Sequence, residues 1–315
     1  KCKRGFATRR EALEWEQKFQ QQNAGDLDRI LREIAVAAVD FAVKGHHIVL
    51  VHGNGPQIGN LVIQNEAARP VIPENSMDEC VAMTQAMIGY PLQHIYNELQ
   101  TRKSDLQVAT IVTQVLVDRD KLESLKPTKP IGPFYTKEQA RQIAEETGMV
   151  MAEDSGRGYR RLGASPKPEG IVEIDTIRRL LDAGAIVISG GGGGIPVVRE
   201  ADGSLQGVSA VIDKDFTAEQ IACDTGADEL LILTGEEYVS VNYGTPDQRA
   251  LHQVTLQDME TYIEQGQFPE GSMLPKVQAA KRFVTHRQGG TAVIGSLTRI
   301  WDILDGTSGT RIQCG

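Results

Sequence analysis

Three things are scarce in this chain, and each scarcity removes a class of function. No stretch approaches the roughly 20 consecutive apolar residues that a bilayer crossing needs. The opening Lys1-Cys2-Lys3-Arg4-Gly5 also lacks the apolar region of a signal peptide. A soluble protein with no membrane partner is therefore expected. Cysteine is sparse, with Cys2, Cys80, Cys223 and Cys314 far apart and no CxxC pair. That spacing indicates neither a disulfide framework nor a zinc site and fits a reducing cytoplasm. Positive charge is short as well: 33 Lys plus Arg face 42 Asp plus Glu, for a formal charge of −9. Binding nucleic acid by broad counterion release is disfavoured, so any anion site must be local.

Two nucleotide signatures are missing too. No GxxxxGK[ST] occurs, which excludes a Walker A loop. Gly53, Gly55 and Gly59 have GxGxxxG spacing, but no strand ending in an acidic residue follows about 20 positions later, as a dinucleotide fold requires.

What is present alternates short β-branched runs with longer amphipathic stretches across 315 residues. That pattern predicts a mostly parallel sheet covered by helices, in one large α/β domain or two lobes. Strands are expected at His47 to Val51, Val108 to Val112, Ala185 to Ile188, Glu229 to Leu233 and Thr291 to Gly295. Helices are expected at Leu27 to Val43, Ile171 to Ala183 and Phe216 to Thr225. Ser76 to Glu98 opens on an N-cap residue and is divided by Pro91. Residues 118–168 differ, because prolines bracket one polar helix near Thr136 to Thr147. So long a loop is unusual, and a small inserted subdomain is expected.

Two glycine-rich turns follow strands directly: His52-Gly53-Asn54-Gly55-Pro56-Gln57 and Gly190-Gly191-Gly192-Gly193-Gly194-Ile195-Pro196. Glycine lets backbone approach a ligand closely, and free N–H groups at a helix start attract anions. Phosphoryl transfer also needs cations, and Lys129, Lys214 and Lys276 each sit among turn formers or at an element junction. Asp213 is a candidate to orient Lys214 and Lys276 together. Each feature also has a bland reading. A single lysine is usually a solvated surface residue, His52 can merely cap a strand, and the glycine run can be a tight crossover. Arg157, Arg160 and Arg161 read best as a solvated or salt-bridged face.

Taken in order, seven segments resemble the carbamate kinases of the amino-acid kinase family. They are His52 to Gln57, Pro127-Thr128-Lys129-Pro130-Ile131-Gly132, Glu153 to Arg161, Gly191 to Pro196, Ala210-Val211-Ile212-Asp213-Lys214-Asp215, Gly271-Ser272-Met273-Leu274-Pro275-Lys276 and Gly309-Thr310-Arg311. The resemblance implies an open αβα sandwich with a protruding subdomain at about 118–168. A first lobe, 1–200, would take carbamate or carbamoyl phosphate, and a second, 201–315, the nucleotide. It implies a homodimer that interconverts carbamoyl phosphate plus ADP with carbamate plus ATP, using Mg2+, often in arginine breakdown. Carried over, His52, Gly53, Asn54, Gly55, Gly191, Gly192 and Gly193 would face the substrate and its phosphate. Lys129, Lys214 and Lys276 would stabilise the phosphoryl group, with Asp213 organising them. Tyr243, Met273 and Pro275 would border the nucleotide alongside Lys214 and Lys276, and no residue is expected to ligate a metal. Other readings are a silent nucleotide-binding relative, or an enzyme of this fold acting on another small acid. Two departures motivate the silent relative: Gly235 stands where many relatives carry Asp, and Lys1 to Gln22 lacks the family's apolar strand and Gly-Gly-Asn loop. Because Lys1 is not a methionine, that segment is expected to precede it.

Overall fold

The computed structural model describes residues 29, 31–154 and 156–314. The expectation about Lys1 to Gln22 lies outside these residues. Helix α1 covers residues 31–43 and ends near Gly45, whose φ of +94° is the left-handed backbone that glycine supplies. Strand β1 (Val49–Leu50) leads through the first glycine turn into α2 (Gly55–Ala68). Ser76 then opens α3 (Met77–Gly89) through a reciprocal capping box with Glu79. Pro91 starts a short 3-10 turn that separates α3 from α4 (His94–Thr101), as its missing N–H dictates.

After β2 (Val108–Thr110), β3 (Gln114–Leu116) and α5 (Arg119–Ser124), residues 129–163 form an arm. It contains β4 (Lys129–Tyr135), α6 (Lys137–Thr147), β5 (Met151–Glu153) and β6 (Tyr159–Gly163), paired antiparallel in the order β4-β6-β5. Pro130 and Pro133 are tolerated because β4 is an edge strand, and its register slips between Ile131 and Tyr135. Thr136 caps α6 with Gln139, and Gly148 ends it in the left-handed region. Arg157 and Arg160 pair with Asp154 at 3.2 and 3.1 Å and lie over the Phe134 ring, a salt-bridged face. Arg161 instead lines a cavity of about 180 Å³ between α2 and the arm.

The chain continues through β7 (Gly170–Ile171), α7 (Ile174–Asp182), β8 (Ile186–Ile188), β9 (Ile195–Arg199) and β10 (Leu205–Gly207). Next come α8 (Lys214–Thr225), β11 (Glu229–Thr234), β12 (Ser240–Val241), β13 (Arg249–Ala250) and β14 (Gln253–Thr255). It closes with α9 (Leu256–Glu264), α10 (Met273–His286), β15 (Thr291–Ser296), α11 (Ile300–Leu304) and β16 (Thr310–Gln313). Parallel pairs carry the centre of the sheet: β8 lies between β1 and β2, β3 runs with β9, β11 with β15 and β14 with β16, while β10, β7 and β16 add antiparallel pairings to β9, β3 and β15.

Alternation along β8 explains the three layers. Ile186 and Ile188 pack with Val39 of α1 and with Ile95 and Leu99 of α4. Val187 points the other way, to Ile177 and Leu181 of α7 and Ile221 of α8. Farther along the chain, Leu230, Ile232, Ala292, Ile294 and Ile312 pack against Val277, Ala280 and Phe283 of α10. These alternations make the architecture an αβα sandwich. No helix among the described residues is long and apolar enough to cross a membrane. Ile186 is fully buried at the centre of this arrangement. Ile186→Ala is expected to cost about 2–5 kcal/mol, read as a lower urea midpoint with an unchanged slope. A loss under about 1 kcal/mol would contradict the central placement of β8.

Candidate functional site

The two glycine turns leave adjacent parallel strands at their carboxyl ends, where open α/β sheets bind ligands. They also touch: the N–H of Gly192 donates to the His52 carbonyl at 2.8 Å. Gly190, Gly192, Gly193 and Gly194 all have φ between +67° and +93°, which side-chain-bearing residues avoid. Sterics reinforce this choice. A Cβ would fall 2.4 Å from His52 Nε2 at Gly191, 2.2 Å from Asn54 Nδ2 at Gly192 and 2.1 Å from the Ile212 carbonyl oxygen at Gly193. The run is therefore a packed junction as well as a turn. Gly55 has open space where a Cβ would be, and Gly53 lies against the stem of Lys214.

Polar side chains that local patterns did not single out hold this junction. Gln85 of α3 donates to the carbonyls of Thr113 and Gly191 at 3.1 Å each and accepts from the Thr113 N–H at 2.7 Å. The Thr113 hydroxyl lies 2.8 Å from that of Ser189 and accepts from the Gly190 N–H. Thr217 of α8 donates to the Gly193 carbonyl at 2.7 Å. Asn54 is buried at the start of α2, and its amide donates to Thr84 rather than capping the helix. The first turn of α2 is thus left without a side-chain cap.

All three candidate lysines are paired with aspartates. Lys129, at the start of β4, donates to Asp213 Oδ2 at 2.8 Å. Lys214 donates to Asp215 Oδ1 at 3.0 Å, and Lys276 to Asp215 Oδ2 at 2.7 Å. The expectation that Asp213 orients Lys214 and Lys276 is thereby corrected, since Asp215 makes both contacts. As N-cap of α8, Asp213 uses Oδ1 to accept the Asp215 N–H at 3.0 Å, leaving Oδ2 for the arm. Asp215, in the first turn of the helix, reaches across to α10 instead. Its side chain is only 5% exposed, so the two ammonium groups supply the charge balance that burial demands. Burial pushes the Asp213 carboxyl up, but Lys129, the Asp215 N–H and the Lys276 charge together hold the group below the usual carboxylate range.

Met273 and Pro275 belong to the same first turn of α10 as Lys276. Tyr243 lies elsewhere: half-exposed, its hydroxyl is 3.3 Å from Glu236, on an open cleft of about 340 Å³ that neither Met273 nor Pro275 lines. The cluster can do one kind of chemistry well. It offers several positive groups, on separate elements, to the oxygens of a phosphoryl group in flight.

Residues 20–296 match the model of the amino acid kinase family. The chain belongs to that family. Carbamate kinase of Clostridium perfringens is 48% identical over 285 residues, spanning 89% of this chain and 90% of that protein. Carbamate kinase of Staphylococcus haemolyticus is 48% identical over 287 residues, spanning 90% and 93%. Among solved structures, Giardia lamblia carbamate kinase bound to AMP-PNP matches with a TM-score of 0.80 and 39% identity over 90% of both chains.

His52 reports on the state of the junction. Burial lowers its pKa from 6.5, its Nδ1 contact with the Gly53 carbonyl opposes this, and the Lys214 charge lowers it further. The unfolded chain therefore takes up this proton first as pH falls. The stability associated with neutral His52 is complete above about 6.5 and is lost as pH drops through the folded-state value. A histidine-resolved NMR titration should place His52 below 6.5, and His52→Asn should flatten that part of the stability profile. A midpoint above 6.5 would overturn this placement.

Proposed function

We propose that this amino acid kinase is a carbamate kinase, transferring a phosphoryl group reversibly between carbamoyl phosphate and ADP to give carbamate and ATP. The observation that carries the reading is the buried Asp215 carboxylate, which holds Lys214 and Lys276 from two helices beside the glycine junction. In the ATP-forming direction, the bond from phosphorus to the carbamate oxygen breaks and carbamate leaves as an anion. A bond forms from an oxygen of the ADP β-phosphate to the same phosphorus. No acid or base is needed, so catalysis reduces to alignment and charge neutralisation. Lys129, Lys214 and Lys276 act on the moving group, while Asp213 and Asp215 position them. Gly53, Asn54 and Gly55, with the Gly191 to Gly193 junction, border the carbamoyl phosphate. Met273, Pro275 and Tyr243 belong to the nucleotide side.

Magnesium enters with the nucleotide as part of the substrate. Both oxygens of Asp213 and both of Asp215 are already engaged by protein donors, so phosphate oxygens and water are its natural ligands. In this reading residues 1–200, with the arm, form the carbamoyl phosphate side and 201–315 the nucleotide side. A cytoplasmic setting suits Cys80, Cys223 and Cys314, all of which are free.

Mixing the chain with Mg2+, ADP and carbamoyl phosphate tests the reading through ATP production. Lys214→Ala is expected to lower kcat by about 10²–10³, and Asp215→Asn by a similar factor. Nucleotide binding without turnover by the unaltered chain would favour a silent relative, and turnover with a different small acid would reassign the acceptor.

The same reading includes a homodimer. Ile63, Met83, Met87, Tyr90 and Tyr96 are exposed on α2, α3, α4 and the turn between the last two. Large apolar side chains clustered on neighbouring elements mark an interaction face. Sedimentation equilibrium should give a dimer, shifted toward monomer by Met87→Glu. A monomer for the unaltered chain at micromolar concentration would rule the dimer out.

A further inference from the structure

The helices that carry Lys214 and Lys276 meet again away from those lysines, and there they bring together Glu219, Cys223 and His286. Glu219 and Cys223 are four residues apart on α8 and share a face. His286 is the last residue of α10, which packs on that helix. The Glu219 side chain is 1% exposed. Its Oε1 lies 3.5 Å from Cys223 Sγ and 3.4 Å from His286 Nδ1, and one ligand atom from each residue falls within 4.8 Å of the others. Its Oε2 is 3.1 Å from Arg282 Nε, yet neither atom is aligned for a hydrogen bond. Oε1 accepts from the Cys223 thiol, so the buried carboxylate has one oxygen held by a weak sulfur donor and the other only by the Arg282 charge.

We infer that Glu219, Cys223 and His286 form a binding site for one zinc-like divalent cation that bridges α8 and α10. Two of the three separations, both from Glu219 Oε1, fit tetrahedral coordination. Zinc bonds of about 2.1 Å to oxygen or nitrogen and about 2.3 Å to sulfur give tetrahedral edges of roughly 3.4 Å (O to N) and 3.6 Å (O to S). The observed contacts are 3.4 and 3.5 Å. A 3.4 Å contact is long for an N–H···O hydrogen bond but has the length of such an edge. Closing the remaining side asks only that the His286 ring shift, and its side chain is 56% exposed. Water takes the fourth position.

Ligand chemistry sets the metal class. Thiolate and imidazole favour zinc and similar ions, whereas magnesium prefers oxygen donors, so this site is distinct from the one serving the nucleotide. Arg282, at Oε2, becomes the outer partner that holds the ligating carboxylate in place. Burial and the adjacent Glu219 push the Cys223 thiol up to about 12. The free thiol is therefore unreactive near neutrality, and the incoming cation must release its proton to solvent as the metal–sulfur bond forms. The cysteine spacing gave no hint of zinc, because the histidine comes from another helix.

The full chain, stripped with a chelator, should be titrated with Zn2+ against a chromophoric competitor and separately with Co2+. One zinc per chain is expected, with affinity falling about tenfold or more in Cys223→Ala and again in His286→Ala. A sulfur-to-cobalt charge-transfer band is expected in the unaltered chain and should vanish in Cys223→Ala. The band in the unaltered chain tests thiolate ligation even if a variant folds poorly, and metal-free melting curves verify each variant. Absence of the band, or equal zinc affinity in both variants and the parent, would overturn the site.

Discussion

Much of this structure depends on one buried carboxylate. Asp215 belongs to the first turn of α8 but ties that helix to α10 through Lys276, while holding its own neighbour Lys214. Two ammonium groups from separate helices would otherwise repel across a partly desolvated gap. A buried ion pair stabilises little compared with apolar packing, and its removal leaves an uncompensated charge that costs several kcal/mol. The triad therefore matters for register more than for net stability. It fixes where two positive groups sit relative to each other, while Val277, Ala280 and Phe283 supply the apolar packing of α10.

The glycine junction works on the same principle of enforced proximity. Any side chain at Gly191, Gly192 or Gly193 would collide with His52, Asn54 or the Ile212 carbonyl. The run joins β8 to β9, the His52 turn follows β1, and Ile212 immediately precedes the cap of α8. Compressing these segments brings the head of α2 and the head of α8 together at the carboxyl ends of β1 and β8. Gln85, Thr113, Ser189 and Thr217 then consume the polar groups that such compression buries.

What local sequence made legible were features decided by a few adjacent residues. Ser76 and Thr136 announced helix starts, Pro91 a break, and Ala185 to Ile188 a strand, and each occurs, the strand as Ile186–Ile188. The lysines were legible as types at element junctions. Their partners were not, because Asp213 and Asp215 differ by one residue on either side of Lys214, and only three-dimensional direction separates them. Nothing local marks Gln85 as the holder of a loop more than 100 residues later in the chain. Short strands such as β12 and β13, or the proline-bearing β4, carry too little periodic signal to stand out.

Charge shows how selectivity for an anion arises in an acidic protein. The whole chain carries −9, so its long-range field repels anionic substrates and is screened within about 8 Å at physiological salt. Three lysines against two aspartates leave the cluster at +1. That excess is modest, and the aspartates prevent the lysines from being buried unpaired before a substrate arrives. In the proposed reading attraction consequently becomes strong only at contact distance, where phosphate oxygens would share the ammonium groups already positioned by Asp213 and Asp215. The Lys129 pair is the most adaptable of these, since Lys129 belongs to the arm rather than to α8 or α10 and its partner Asp213, at 18% exposed, is less buried than Asp215 at 5%. In the proposed reading an arriving anion competes with Asp213 for Lys129, whereas the Asp215 pairing persists as the fixed frame beside the moving phosphoryl group.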